Sequence, residues 1–362
     1  MFNNSAPVVQ EPLPTMAELN LVLAPYQKSS LRKSIWQLAN TLIPYIILWY
    51  LMYLSLRVSY VLTLALAVIA AGFMTRLFIF FHDCGHNSFF SSTKLNKRVG
   101  FWLGVLVLTP GEHWWHSHAI HHATSGNLDK RGTGDVTTLT LEEYIESVWG
   151  KRLGYKLFRN PLIMFGLGPL YMFLILHRLP IPIYGKKEVM SVIWTNLAIF
   201  ALAALIITAI GWQAYILIQL PILWMAGAFG IWLFYIQHQF EDTYWQHDED
   251  WNYVASALLG ASFYRLPGIL QWFSGNIGYH HIHHLSPRIP NYNLPKAHES
   301  SAVIQKLARK IDLGEGWRQM RIKVWDEPIR MMVNWPRQKD LKDRGIDPSR
   351  MKHSTHSLSR KG

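Results

Sequence analysis

Three short stretches of this sequence concentrate imidazole: HDCGH at 82–86, HSHAIHH at 116–122 and HHIHH at 280–284. Eleven of the seventeen histidines lie in them or just beside them. On a helix, residues three and four apart share a face, with Cβ atoms about 5–6 Å apart. His82 and His86 are an i, i+4 pair. His118, His121 and His122 read HxxHH, and His280, His283 and His284 repeat that spacing. Each stretch can turn two or three ring nitrogens toward one point, and neutral imidazole is a ligand for iron, zinc, copper and nickel. Eight such ligands exceed what one ion normally takes, so the pattern implies two metal ions. The HExxH arrangement of zinc proteases is absent. Spacing alone does not choose between iron and zinc.

A metal-bound ring needs its other nitrogen oriented by a carboxylate or carbonyl. Asp83, Asp129, Asp135, Glu241 and Asp242 are the nearby candidates. His238, in FYIQHQFEDTYW, ends a long apolar run and is expected level with His82. Metal ligand and snorkelling interface residue are both open readings of it. His113 and His116 suit a structural or ligand-orienting role, and His281 falls on the wrong face of its stretch. His177, His247, His298, His353 and His356 are expected to be solvated or interfacial.

The elements that must hold these stretches together are apolar. Of 362 residues, half are hydrophobic and only 16% are charged, below the roughly 25% of an ordinary soluble domain. Four runs, about 34–56, 58–81, 189–210 and 214–237, reach the roughly 20 residues needed to cross a bilayer as a helix. Short links at 56–59 and 211–213 make them two tight hairpins. Stretches 99–110 and 161–176 are shorter and interrupted by Gly and Pro, which suits interfacial or re-entrant pieces. The lone Cys84 excludes a disulfide framework, a cysteine zinc site and thiolate iron–sulfur ligation.

Net charge is +12, but the basic residues bracket the apolar runs rather than forming a nucleic-acid stripe. A membrane surface is the better partner for them. Lys94, Lys97, Arg98, Lys151, Arg152, Arg159, Arg178, Lys186 and Lys187 crowd the candidate inner loops, whereas the hairpin tips carry only Arg57. The positive-inside bias then places both termini and loop 82–188 in the cytosol. The first 33 residues lack the apolar segment of a signal peptide.

The expected fold is an all-α integral membrane protein. Four transmembrane helices form two hairpins, and a cytosolic helical cap holds a di-metal histidine site. The chain divides into a cytosolic segment 1–33, a membrane domain 34–300, a C-terminal helical part 301–340 with a helix near 297–311, and a disordered basic tail 341–362. A metal transporter fits less well. It needs ionisable groups near the bilayer midplane, and beyond Asn40, Asn196 and Gln219 the runs offer little.

HDCGHNSFF, HSHAIHHATSGNLDKRGTGD and HHIHHLSPRIPNY resemble the three histidine boxes of the integral-membrane fatty-acid desaturases, with H-x3-H, H-x2-HH and H-x2-HH in order over roughly 70–300. GNLDKRG and HHLSPRIPNYNL are similar to bacterial acyl-lipid desaturases of the Delta-5 and Delta-12 (omega-6) kind, which implies a bacterial inner membrane. The resemblance implies a non-haem centre of two iron ions that uses O2 to remove two hydrogens from a fatty-acyl lipid. Its ligands carry over to His82 and His86, to His118, His121 and His122, and to His280, His283 and His284. A further ligand known in the family matches His238. No HPGG-type haem segment is present, so electrons are expected from a separate carrier such as ferredoxin or flavodoxin. An acyl hydroxylase, carotenoid ketolase or alkane monooxygenase on the same scaffold is the alternative. An alkyl C–H offers no acid or base handle, so a metal-bound oxidant must do the work, in a water-poor pocket.

Overall fold

The structure is a computed structural model that describes residues 12–181, 185–343, 345, 347 and 350–353. Four helices are long and apolar enough to cross a membrane: Leu31–Ser55, Tyr60–Gly85, Lys186–Ile210 and Trp212–His238. At 1.5 Å rise per residue each measures about 37–40 Å, more than the roughly 30 Å of bilayer hydrocarbon. These are the four runs expected from the sequence, with the second extended at its end. That extension continues the helix through the first histidine stretch.

Each hairpin closes tightly. In the first, the backbone N–H groups of Val58 and Ser59 both donate to the Ser55 carbonyl, and the Ser55 and Thr63 hydroxyls meet at 2.7 Å. In the second, Gly211 alone separates two 25- and 27-residue helices. Its φ of +85° lies where a side chain would be strained.

The first, second and fourth spans share a core of Met52, Ala67, Ala70, Leu77, Phe80, Ile218 and Ile222. The third span instead exposes Trp194, Leu197, Phe200 and Leu205, a surface suited to lipid. Within the second span, Arg76 is buried. Its Nε donates to the Thr41 hydroxyl at 3.2 Å and its Nη1 to the Trp272 carbonyl, while the guanidinium lies 4.0 Å over the Trp272 ring. The cation thus caps the carbonyl end of the short helix Gly268–Phe273. The sequence survey of polar residues in the runs passed over it.

Helices carrying the histidine stretches gather at one end of the spans, while Gly168–Leu174 packs against the middle of the fourth span, where Trp224 donates to the Gly166 carbonyl. Thr93–Leu106 contains most of the 99–110 stretch and, at 14 residues, is too short to cross. Stretch 161–176 falls in Ile163–Arg178, which bends 63° from Trp149–Phe158 across a short break. The helix expected near 297–311 is interrupted. Leu294–Glu299 ends, and the Ser301 hydroxyl caps a new helix, Ala302–Leu307. Lys310–Ile311 then pairs in parallel with Phe263–Tyr264.

Beyond this, Val324–Asp326 pairs antiparallel with Met331–Val333, and Trp325 N–H donates to the Leu139 carbonyl. The tail expected from 341 is not solvated at its start. Leu341 is buried with Leu141, Tyr144 and Tyr155, and Arg350 pairs with Glu142 and Glu146. Residues 354–362, including His356, and the side chain of His353 lie outside the described residues.

Candidate metal centre

The second span delivers the first pair of ligands. His82 lies in its last turn and His86 follows as its cap, one turn on. The second stretch is carried by Gly111–Thr124 and the third by the six-residue helix His280–Leu285. Close approach of the first two elements depends on Trp115. Its indole N–H donates to the Phe81 carbonyl at 3.1 Å, and its ring fills the space where a Cβ on Gly85 would come within 2.3 Å. Any larger residue at 85 would drive the two histidine helices apart. His238 arrives as the last residue of the fourth span.

All nine candidate ligands come together, in two sets. His82, His86, His118, His122 and His283 form one. His121, His238, His280 and His284 form the other. Within each set, one ring nitrogen per residue lies within 4.8 Å of the rest. Nε2–Nε2 approaches are 2.9 Å for His82 with His283 and for His238 with His280, 3.1 Å for His118 with His122 and for His280 with His284, and 3.2 Å for His121 with His238. Every one of these residues is buried except His86, which is partly so. Both HxxHH stretches divide between the sets, so each stretch supplies rings to both.

The Nδ1 partners test whether a cation fits. His121 Nδ1 meets Asp135 Oδ1 at 2.5 Å, and His238 Nδ1 meets the Gly260 carbonyl at 3.1 Å. Both partners only accept, so both rings carry their proton on Nδ1 and present a lone pair at Nε2. Two lone pairs then face each other at 3.2 Å. A cation between them removes the repulsion and uses both donors, so the residues fit a metal ion. His82 Nδ1 is similarly placed 3.2 Å from Asp83 Oδ1. Burial, with the neighbouring histidines, holds His118, His122, His280, His283 and His284 well below the ordinary histidine pKa. They stay neutral, the form that binds metal.

Of the five acids considered as orienting groups, Asp83 and Asp135 serve. Asp83 is itself held: its Oδ2 accepts from Asn291 N–H at 2.8 Å and from Asn291 Nδ2 at 2.9 Å. Gln37 of the first span in turn holds Asn291. The other three acids lie elsewhere. Asp129 pairs with His247, Asp242 with Arg309, and Glu241 engages through its backbone N–H to Gln319.

Two histidines expected to be solvated or interfacial are buried. His298 meets His281 at 2.9 Å, and burial lowers its pKa to about 4. His177 packs against Phe173. His281 does turn away from the centre, and His247 is exposed. His116 joins Glu188 at 2.9 Å, tying its helix to the third span.

Sequence reasoning missed several contributors. Trp114 stacks on His118 with ring centroids 4.5 Å apart, and the Phe234 ring lies 5.1 Å from His121. Buried Arg159 donates to Gln239, the residue after His238, at 2.9 Å. The i, i+4 spacings of Trp114 with His118 and of Phe234 with His238 were the available signals.

With this geometry established, comparison with known proteins is informative. A family model described as fatty acid desaturase matches residues 58–310. A protein named fatty acid desaturase from Bacillus subtilis is 50% identical over 318 residues, which cover 88% of this chain and 90% of that one. The sn-1 acyl-lipid omega-3 desaturase (ferredoxin) of a Synechocystis strain is 30% identical, with coverage of 70% and 67%. A chain named Delta(12) fatty acid dehydrogenase from Crepis alpina is 26% identical, with coverage of 87% and 90%.

Proposed function

This chain belongs to the fatty acid desaturase family, and from that premise we propose that it inserts a double bond into the acyl chain of a membrane lipid, using O2 and two iron ions. The observation that carries the reading is the partition of nine histidines into a set of five and a set of four around adjacent points. Iron bound there would supply the O2-derived oxidant that an unactivated C–H bond demands.

The protein's own residues do the rest. Asp83, Asp135 and the Gly260 carbonyl hold the protons on Nδ1 and fix the ring planes. Outer partners of this kind orient the ligands and raise their basicity. Trp114 over His118 and Phe234 beside His121 and His238 keep bulk water from the rings. Dryness matters because stray oxidation and wasteful reduction of O2 are the competing outcomes. The ion-holding ends of the second and fourth spans put the reaction beside the bilayer, where an acyl chain reaches it without leaving an apolar phase.

Desaturation is favoured over hydroxylation because relatives from Bacillus subtilis, Synechocystis and Arabidopsis thaliana carry desaturase names. The ferredoxin in the names of the cyanobacterial and plastid relatives supports a separate one-electron carrier, a ferredoxin or flavodoxin, as donor. The Lys and Arg bias supports a cytosolic cap in a bacterial inner membrane. Expression in a desaturase-poor host, followed by gas chromatography of its fatty acids, tests the reaction. A new monoene or diene is expected, and a hydroxy acid would replace this reading with the alternative. Labelling of Arg57→Cys and Lys94→Cys from either side of the membrane tests the orientation. The two sites must label from opposite faces.

A further inference from the structure

The loop after Gly111–Thr124 and the chain after the fourth span enclose a small cleft beside the four-histidine set. Its lining includes Ser125, Asp135, Val136, His238, Thr243 and Trp245. Its volume is about 10 Å³, on the scale of a single water. Two buried polar atoms on this lining are unpartnered: Asp135 Oδ2, an acceptor, and Trp245 Nε1, a donor. The other Asp135 oxygen holds His121 Nδ1. A buried donor and a buried acceptor left unsatisfied are each costly, and a water in the cleft is the group that can serve them.

We propose that this cleft is the solvent port of the metal centre, holding an exchangeable water between Asp135 and Trp245. The inference rests on the desaturase reading for its purpose. Desaturation converts an acyl –CH2–CH2– unit and O2, with two electrons from an iron–sulfur or flavin carrier and two protons, into –CH=CH– and two waters. Protons must enter and water must leave a site walled largely by buried histidine and aromatic rings. The carboxylate behind the five-histidine set differs: both donors of Asn291 engage Asp83 Oδ2. The port serves the set with four ligands, on the side of His121 and His238.

X-ray hydroxyl-radical footprinting of the iron-loaded full chain in nanodiscs tests this, because radicals formed from a bound water oxidise the side chain that holds it. Trp245 should oxidise several-fold faster than Trp325, which is comparably enclosed. Val136→Leu, and separately Val136→Ile, should fill the cleft and bring Trp245 down to the Trp325 rate with iron content unchanged. Equal, slow oxidation of the two tryptophans in the unaltered protein overturns the port, as does unchanged Trp245 labelling in both iron-loaded variants. Footprinting needs no turnover, so a failure of the desaturase reading appears separately, as absent unsaturated product with labelling intact.

Discussion

The two histidine sets are both largely buried, with only His86 of the five partly exposed, but they are differently supported. Behind the five-histidine set stands a continuous buried chain: His82 to Asp83, Asp83 to Asn291, and Asn291 to Gln37 in the first span. Behind the four-histidine set stand Asp135, with one oxygen unpartnered, and the carbonyl of Gly260. Asp135 belongs to a loop tethered at the surface, where Lys130 meets Asp248 and His247 bridges Asp129 and Glu327. The carboxylate behind one set is tied to the first span, and the carboxylate behind the other belongs to a cap loop. Ligand number and carboxylate anchorage run together: the set with fewer nitrogens leans on the acid that has one oxygen unpartnered. Its metal should be the first to leave.

The largest break in that comparison is the loss of a ligand from each set. His238→Ala leaves three nitrogens and should release the metal of the four-histidine set, so that half the bound iron and all product disappear. His86→Ala leaves four, the complement of a closed tetrahedral site, and should abolish product while retaining most of the metal. Metal analysis of the purified variants beside product chromatography checks both. Equal metal loss from the two variants would remove the asymmetry.

A smaller effect sharpens it. Asp83→Asn and Asp135→Asn should each weaken metal binding by about 10–100-fold, as removal of an orienting partner typically does. They should differ in stability. Asp83→Asn sets an amide against the Asn291 donors in a buried place, and leaving such a group unsatisfied costs about 1–3 kcal/mol. At Asp135 the second oxygen has no protein partner to lose, so thermal stability without metal should hardly move. Metal titration and melting of the metal-free variants separate the two quantities.

What could be read from the sequence follows the range of the interactions. The spans and the HxxHH faces are local, periodic features, so the four helices and the eight box histidines were legible. His238 was legible because membrane geometry fixes its level against His82. Partners that meet only through tertiary packing were not: Asn291 behind Asp83, the Gly260 carbonyl behind His238, and His298 behind His281. Asp129, Glu241 and Asp242 looked suitable by proximity in sequence, yet they serve surface or backbone contacts. Arg76 was hidden for the opposite reason. One cation in a long apolar run leaves the run apolar, and only the fold reveals the carbonyl and the ring that hold it.

The smallest predicted effect tests the tether of the four-histidine side through pH. Exposed His247 has its pKa raised by hydrogen bonds to Asp129 and Glu327. A histidine whose folded pKa exceeds its unfolded value of about 6.5 stabilises the fold fully below that value and loses the contribution as pH rises through the folded pKa. The difference in melting temperature between the unaltered protein and His247→Gln should therefore be greatest in mild acid and shrink to nothing in mild base. Taking the difference cancels the titration of the buried ligands, which is common to both proteins. High salt should erase it as well, since the ion pairs are exposed and screened within about 3 Å at 1 M. The buried anchor behaves otherwise. Asn291→Ala removes the neutral side-chain donor from Asp83 and keeps the backbone one, and its melting deficit should keep its size through the same pH window and in salt. A His247→Gln difference that ignores pH would show that the loop carrying Asp135 owes nothing to this bridge. The two sets would then be anchored alike.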